Sequence, residues 1–408
     1  MSADKTAAVS LSESLTASEA SSAAGTHGVT TPRALPPAAT PAIATTTASS
    51  PSASALHRRR PRLFYLDLVR ALATFLIVLT HFNNPFLTDG RYLLTNQPFG
   101  LYVGDLGVSL FLIISGAALA YTYQRPVDLS SFYWKRFKGI YPMFWIAWLL
   151  GTIYFFIVQG GAPLNAAPAR SMIWTVLGID GWIGVFGVQT AYLLGEWFLG
   201  FIILFYLLFP GLLYLVERFP KSTAAGLLIV FVITWVIMRD LFPSVPGSII
   251  LTMRLPELAF GIYLVRYIKR VAPVAVVCAV AVLALNGFFP TVLPKDVATA
   301  VLGIAAFLLL VVLARYVAIG PVRVFIQWVA KYSYAIFLVH HVVIMRLFMM
   351  MDTSDFLPIQ FAMMLLACLV IIVVLAVALE ALTRAVVAGC TRAFAGQWWK
   401  PVISGVEP

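Results

Sequence analysis

An all-α, polytopic membrane protein with about ten transmembrane helices and both termini in the cytoplasm is the fold class this sequence predicts, on three observations. The 408 residues are 61% hydrophobic and 11% charged, with a mean hydropathy of +0.91, whereas a soluble chain carries roughly 25% charge. Apolar runs of about 18 residues or more recur, each long enough to cross about 30 Å of hydrocarbon. A helix is the form that satisfies the backbone of such a run within its own segment. Basic residues alternate between dense and sparse from one connecting segment to the next, which is the signature of fixed topology.

The elements follow in order. Residues 1–60 are Ala, Ser, Thr and Pro with almost no bulky apolar side chains, so they cannot offset chain entropy by burial and are expected to form a disordered cytoplasmic tail. They lack an apolar core of about 7 to 15 residues behind a basic start, which argues against a cleavable signal peptide. A membrane domain over 61–385 then carries spans near 64–84, 104–123, 140–159, 196–216, 222–238, 248–265, 271–289, 297–314, 332–351 and 358–382, followed by a short cytoplasmic tail over 386–408. Residues 160–195, where Gly and Pro interrupt a moderately apolar run, break the pattern. Counted as a span they would invert every later loop, so they read as an outer-face loop with an interfacial helix around Met172 to Leu177.

With the N-terminus inside, the outer loops hold only Arg91, Arg170, Arg239 and Lys295, while the other connections hold nearly all remaining Lys and Arg. The net charge of +11 is therefore accounted for by topology, and no nucleic-acid partner is expected. Cys278, Cys368 and Cys390 form no CxxC pair, so neither a disulfide framework nor a metal site is expected. No GxSxG elbow and no P-loop is present.

The first span, "FYLDLVRALATFLIVLTHFNN", carries Asp67, Arg70 and His81. Eleven residues at about 100° each bring Arg70 and His81 within about 20° of one helix face, roughly 16 Å apart along the axis. Asp67 lies one turn before Arg70, where acid and base can pair. Arg254 and Glu257 stand at i, i+3 around Pro256, and Arg346 also lies within a span. Ionisable groups inside a membrane are costly and mark a cavity or pathway. The plainer alternative is a surface ion pair plus interhelical hydrogen bonds. The shared face of Arg70 and His81 argues against that alternative, whereas it suits His340, near mid-membrane on the ninth span.

Arg70, ten residues and His81, inside "LDLVRALATFLIVLTH", resemble the Arg-x10-His signature of acyltransferase family 3, the integral membrane O-acyltransferases. "GVSLFLIISGAALAY" (107–121), "FYWKRFKGIYPMFW" (132–145), "WFLGFIILFYLLFP" (197–210), "RLPELAFGIYL" (254–264) and "KYSYAIFLVHHVVI" (331–344) resemble further blocks of that family, in order. Two departures stand out: Gly139 where many members have a second arginine after Arg136, and Ile203 where many have Glu.

The resemblance implies transfer of an acyl group, commonly acetyl, from cytosolic acyl-CoA to a hydroxyl of a cell-surface carbohydrate or glycolipid. The protein would then be a multi-pass component of the plasma membrane with the lipid bilayer, acyl-CoA and the acceptor as partners. His81 suits the general base, since an imidazole is mostly neutral near pH 7 and able to accept a proton. Arg70 and Asp67 share its helix. Lys135, Arg136 and Lys138 are candidates for the nucleotide phosphates. Arg254, Glu257, Trp197, Tyr334 and His340, which fall in the matched blocks, are candidate substrate-binding residues. The chain ends about 25 residues beyond the tenth span, so no added extracytoplasmic domain is expected. A transporter of a glycan or small organic anion is the competing reading, because an intramembrane Arg and His also suit a permeation pathway.

Overall fold

The computed structural model describes residues 61–397, apart from 89, 162–166, 195–196 and 291. The expected tail over 1–60 lies outside the described residues. Every predicted span is a helix: α1 Phe64–Phe82, α2 Val103–Thr122, α3 Leu129–Val158, α4 Trp197–Arg218, α5 Pro220–Leu241, α6 Leu251–Tyr267, α7 Pro273–Phe288, α8 Lys295–Val317, α9 Gly320–Met350 and α10 Pro358–Gln397. No strand occurs among the described residues.

Eight of these helices are long and apolar enough to cross a membrane. The two exceptions to the ten-span expectation are α6 and α7, with 17 and 16 residues. A 16-residue helix rises only about 24 Å, short of the hydrocarbon thickness, and α6 spends part of its length on Arg254, Glu257 and Arg266.

Three boundaries also differ. α3 starts at Leu129 and α9 at Gly320, each about a dozen residues before the apolar run. Lys and Arg depress hydropathy yet are good helix formers, so the basic segments before both spans are helical. Asp128 caps α3 by accepting from the Ser131 N–H at 3.4 Å. α10 continues to Gln397, so most of the expected C-terminal tail is helical, and 398–408 lies outside the described residues.

The segment between α3 and α4 does not cross the bundle among its described residues. It forms short helices at Met172–Leu177 and Asp180–Gly184, the first where sequence places it. α3 holds this segment through its aromatic side chains: Tyr141 OH donates to the Leu177 carbonyl (2.9 Å) and Trp145 Nε1 to that of Val176 (3.0 Å). Asp180 is buried and accepts from Thr175 Oγ1 (3.0 Å) and the Gly181 N–H (2.9 Å). Burial pushes its carboxyl above the usual range despite those donors.

At the centre, α1 packs between α2, α8 and α9. α2 and α6 cross so closely that only glycine fits. A Cβ on Gly116 would stand 1.9 Å from the Leu258 carbonyl oxygen, and one on Gly261 would stand 2.0 Å from that of Ile113. Lipid offers no hydrophobic drive for helix association, so this contact of small residues is where van der Waals attraction accumulates. Gly261→Ala is expected to force the pair apart and sharply reduce the monodisperse fraction in size-exclusion chromatography. Gly211→Ala, where a Cβ meets nothing within 4 Å, should leave the profile unchanged.

Candidate active site

Five helices surround a cavity of about 400 Å³. Its lining comes from early turns of α1, α3 and α4 and from the middle of α2 and α9, with Arg70, Lys135 and Arg136 near the starts of α1 and α3. Four cations face it: Arg70 from α1, Lys135 and Arg136 from α3, and Lys331 from α9. None of the four has a carboxylate within ion-pair distance among the described residues. The polar lining is completed by Ser115, Tyr206, Ser333 and Tyr334. Arg136 donates from Nη2 to Tyr123 OH at 3.3 Å, and its guanidinium lies 5.6 Å from the Tyr123 ring and 5.8 Å from that of Tyr206. Tyr334 OH donates to the Ile140 carbonyl at 3.1 Å, tying α9 to α3. A basic chamber whose described lining holds no Asp or Glu favours an anion, and guanidinium geometry favours phosphate or carboxylate.

Beyond the chamber stands a cluster of histidines. The His81 ring meets that of His340 edge-on at 4.8 Å and that of His341 at 5.5 Å. His81 Nδ1 lies 2.8 Å from the Ile77 carbonyl. A carbonyl only accepts, so Nδ1 carries the hydrogen and donates, leaving Nε2 of the neutral ring as a lone-pair acceptor. His340 repeats the arrangement, with Nδ1 donating to the Phe337 carbonyl at 2.6 Å and its buried Nε2 without a hydrogen-bond partner. The rings approach edge to face, and no three His, Cys, Asp or Glu among the described residues are grouped to hold a metal ion.

Phe337 joins the two features. It lines the basic chamber, and its ring lies 5.8 Å from His340 and 6.0 Å from Phe198, which also lines the chamber. Arg70 and His81 therefore both face α9, Arg70 beside Lys331 and Tyr334 and His81 beside His340 and His341.

The other candidate residues lie elsewhere. Asp67 does not pair with Arg70: it accepts from Arg62 Nη2 at 2.9 Å. Arg62 precedes the helix, and its long side chain reaches the acid from the exposed end, so Asp67 is not within ion-pair distance of Arg70. Lys138 lies over the Trp134 ring at 5.2 Å, away from the chamber its neighbours line. Trp197, at the start of α4, packs against Phe198 with ring centres 5.9 Å apart. Arg254 and Glu257 form a buried ion pair at 3.0 Å, and Arg254 Nη2 also donates to Ser109 Oγ at 3.1 Å. Arg254 borders a separate cavity of about 300 Å³, with Asp105, Lys295 and Asp296.

Sequence reasoning missed Lys331 and Tyr206 in the chamber and the contact of His341 with His81. The sequence did offer one signal for Lys331: it stands three residues before Tyr334, one turn away on the same face.

Comparison with known proteins adds to this geometry. Residues 63–381 match the family described as Acyltransferase domain. A curated relative, Acyltransferase MdmB of Streptomyces mycarofaciens, is 26% identical over 119 residues, which is 29% of this chain and 30% of that protein. The similarity thus spans less than a third of that relative's length. No solved structure matches the chain.

Proposed function

We propose, from the premise that this chain belongs to the acyltransferase-domain family, that it moves an acyl group from acyl-CoA to a hydroxyl acceptor across the bundle. The basic chamber receives the nucleotide phosphates on Arg70, Lys135, Arg136 and Lys331. The pantetheine arm runs past Phe198 and Phe337 to bring the thioester to His81. Nε2 of His81 takes the hydroxyl proton as the oxygen attacks the thioester carbonyl. The C–S bond then breaks, and CoA leaves as a thiol on receiving that proton. Acetyl is the proposed acyl group, and a cell-surface carbohydrate or glycolipid the proposed acceptor. The plasma membrane is the proposed location, with the basic end of the bundle in the cytosol. Lys138 and Trp197 support the chamber walls in this reading, Asp67 neutralises Arg62, and Arg254 with Glu257 braces α6 against α2.

One observation carries the proposal: Phe337, in the lining of the cationic chamber, touches His340, which in turn touches His81, the histidine whose Nδ1 bond leaves Nε2 as an acceptor. A phosphate contact is made equally in the ground and transition states, so Arg136→Ala should raise the KM for acetyl-CoA while leaving kcat near the parent value. Sealed vesicles of known orientation, supplied with radiolabelled acetyl-CoA on one face at a time, test both this and the sidedness. Label transfer only when acetyl-CoA is added at the extracytoplasmic face would refute the arrangement.

A further inference from the structure

A third cavity, of about 590 Å³, lies between α3, α9 and α10, and the mechanism above leaves it unused. Its walls are hydrocarbon, from residues such as Leu150, Val343, Leu375 and Leu379, and its one charged lining residue is Arg346. Leu150 and Leu375 are 48% and 44% exposed, so the cavity opens sideways through its apolar wall, where the bilayer lies. It is polar only at one end. Arg346 is four residues from the end of α9 at Met350, about 6 Å along the axis, whereas Leu338, also in the lining, is about 12 Å deeper than Arg346.

Arg346 has no carboxylate within ion-pair distance among the described residues, and its buried Nε has no hydrogen-bond partner. A guanidinium inside a membrane helix is costly unless an anion or a hydrogen-bond acceptor meets it, and among the described residues no carboxylate reaches this one and no acceptor meets its Nε. The cavity does not belong to the histidine cluster. At about 100° per residue, the α9 positions that line it centre more than about 100° away from both His340 and His341.

We propose that this cavity binds an anionic phospholipid of the surrounding bilayer, with one acyl chain inside it and the phosphate on Arg346. The occupant follows from charge and shape together. A single cation at the mouth of a hydrocarbon slot that opens to lipid complements an amphiphile whose anionic head sits at the membrane surface. Guanidinium grips phosphate through two parallel N–H donors. The inference is independent of the reaction the protein catalyses.

Native mass spectrometry and thermal unfolding of the full-length protein in mild detergent test this, with dioleoyl phosphatidylglycerol and dioleoylglycerol, which lacks the phosphate, as probes. Phosphatidylglycerol should remain bound at one per chain and raise the Tm, and dioleoylglycerol should do neither. Arg346→Gln should weaken retention by about tenfold or more, and Arg346→Lys should restore part of it. Val343→Trp, which fills the slot and keeps the charge, should also abolish retention. Size-exclusion profiles matching the parent establish that both variants are folded. Retention unchanged in either Arg346→Gln or Val343→Trp, or equal protection by dioleoylglycerol, overturns the proposal.

Discussion

His81→Ala is expected to lower the kcat for acyl transfer by about 10² to 10⁴-fold, the usual share of a general base. The KM for acyl-CoA should change little, because the ring does not line the basic chamber. Alanine costs less than imidazole in a membrane, so insertion should proceed normally, and the histidine cluster loses one edge-on ring contact on each side. Membrane vesicles given radiolabelled acetyl-CoA and acceptor, at matched protein by immunoblot, measure the effect. Full residual activity would remove His81 from the mechanism. Together with Arg136→Ala, this variant separates binding from chemistry, since one defect falls on KM and the other on kcat.

Arg254→Leu should be the most destabilising single substitution among the charged residues. Glu257 is 0% exposed and its nearest cation is Arg254 at 3.0 Å. Removing that cation leaves a carboxyl buried beside Ser109 with no counter-charge, which costs about 3 to 5 kcal/mol. The double variant Arg254→Leu, Glu257→Leu should recover much of the loss, because two apolar side chains of similar volume replace a buried pair at little net cost. Thermal unfolding of the three proteins in one detergent decides it. A double variant no more stable than the single would show that the charges do not depend on each other.

Sequence revealed the helices better than the site. Hydropathy marked every long helix because such helices are apolar along their length, although α6 and α7 fall short of crossing length. The Gly- and Pro-rich segment before α4 carries short helices and packs Asp180, Leu193 and Leu194 into the interior. Helix starts were misplaced where Lys135, Arg136 and Lys331 continue the helix beyond the apolar run. The helical spacing of Arg70 and His81 was legible because it depends on one helix alone. The partners they meet were not. Lys331, Tyr206 and His341 reach the site only through the packing of α9 and α4 around α1, and no local spacing encodes that packing. Asp67 shows the same limit on a smaller scale, since the rule for helical pairs did not anticipate Arg62 reaching in from outside the helix.

The contact between Phe337 and His340 has a consequence for the cell's ionic economy. A protein that takes one substrate from each side of a membrane, as proposed for this one, risks becoming a leak for protons and salt while it waits. Here the rings of Phe337 and Phe198, 6.0 Å apart, pack together in the chamber lining where Phe337 also touches His340. Aromatic carbon offers a hydrated ion nothing in place of its water, so the paired rings oppose ion passage, and the proposed thioester arm would pass only when they move apart. In the proposed mechanism the same pair of rings would both admit the donor and insulate the membrane potential.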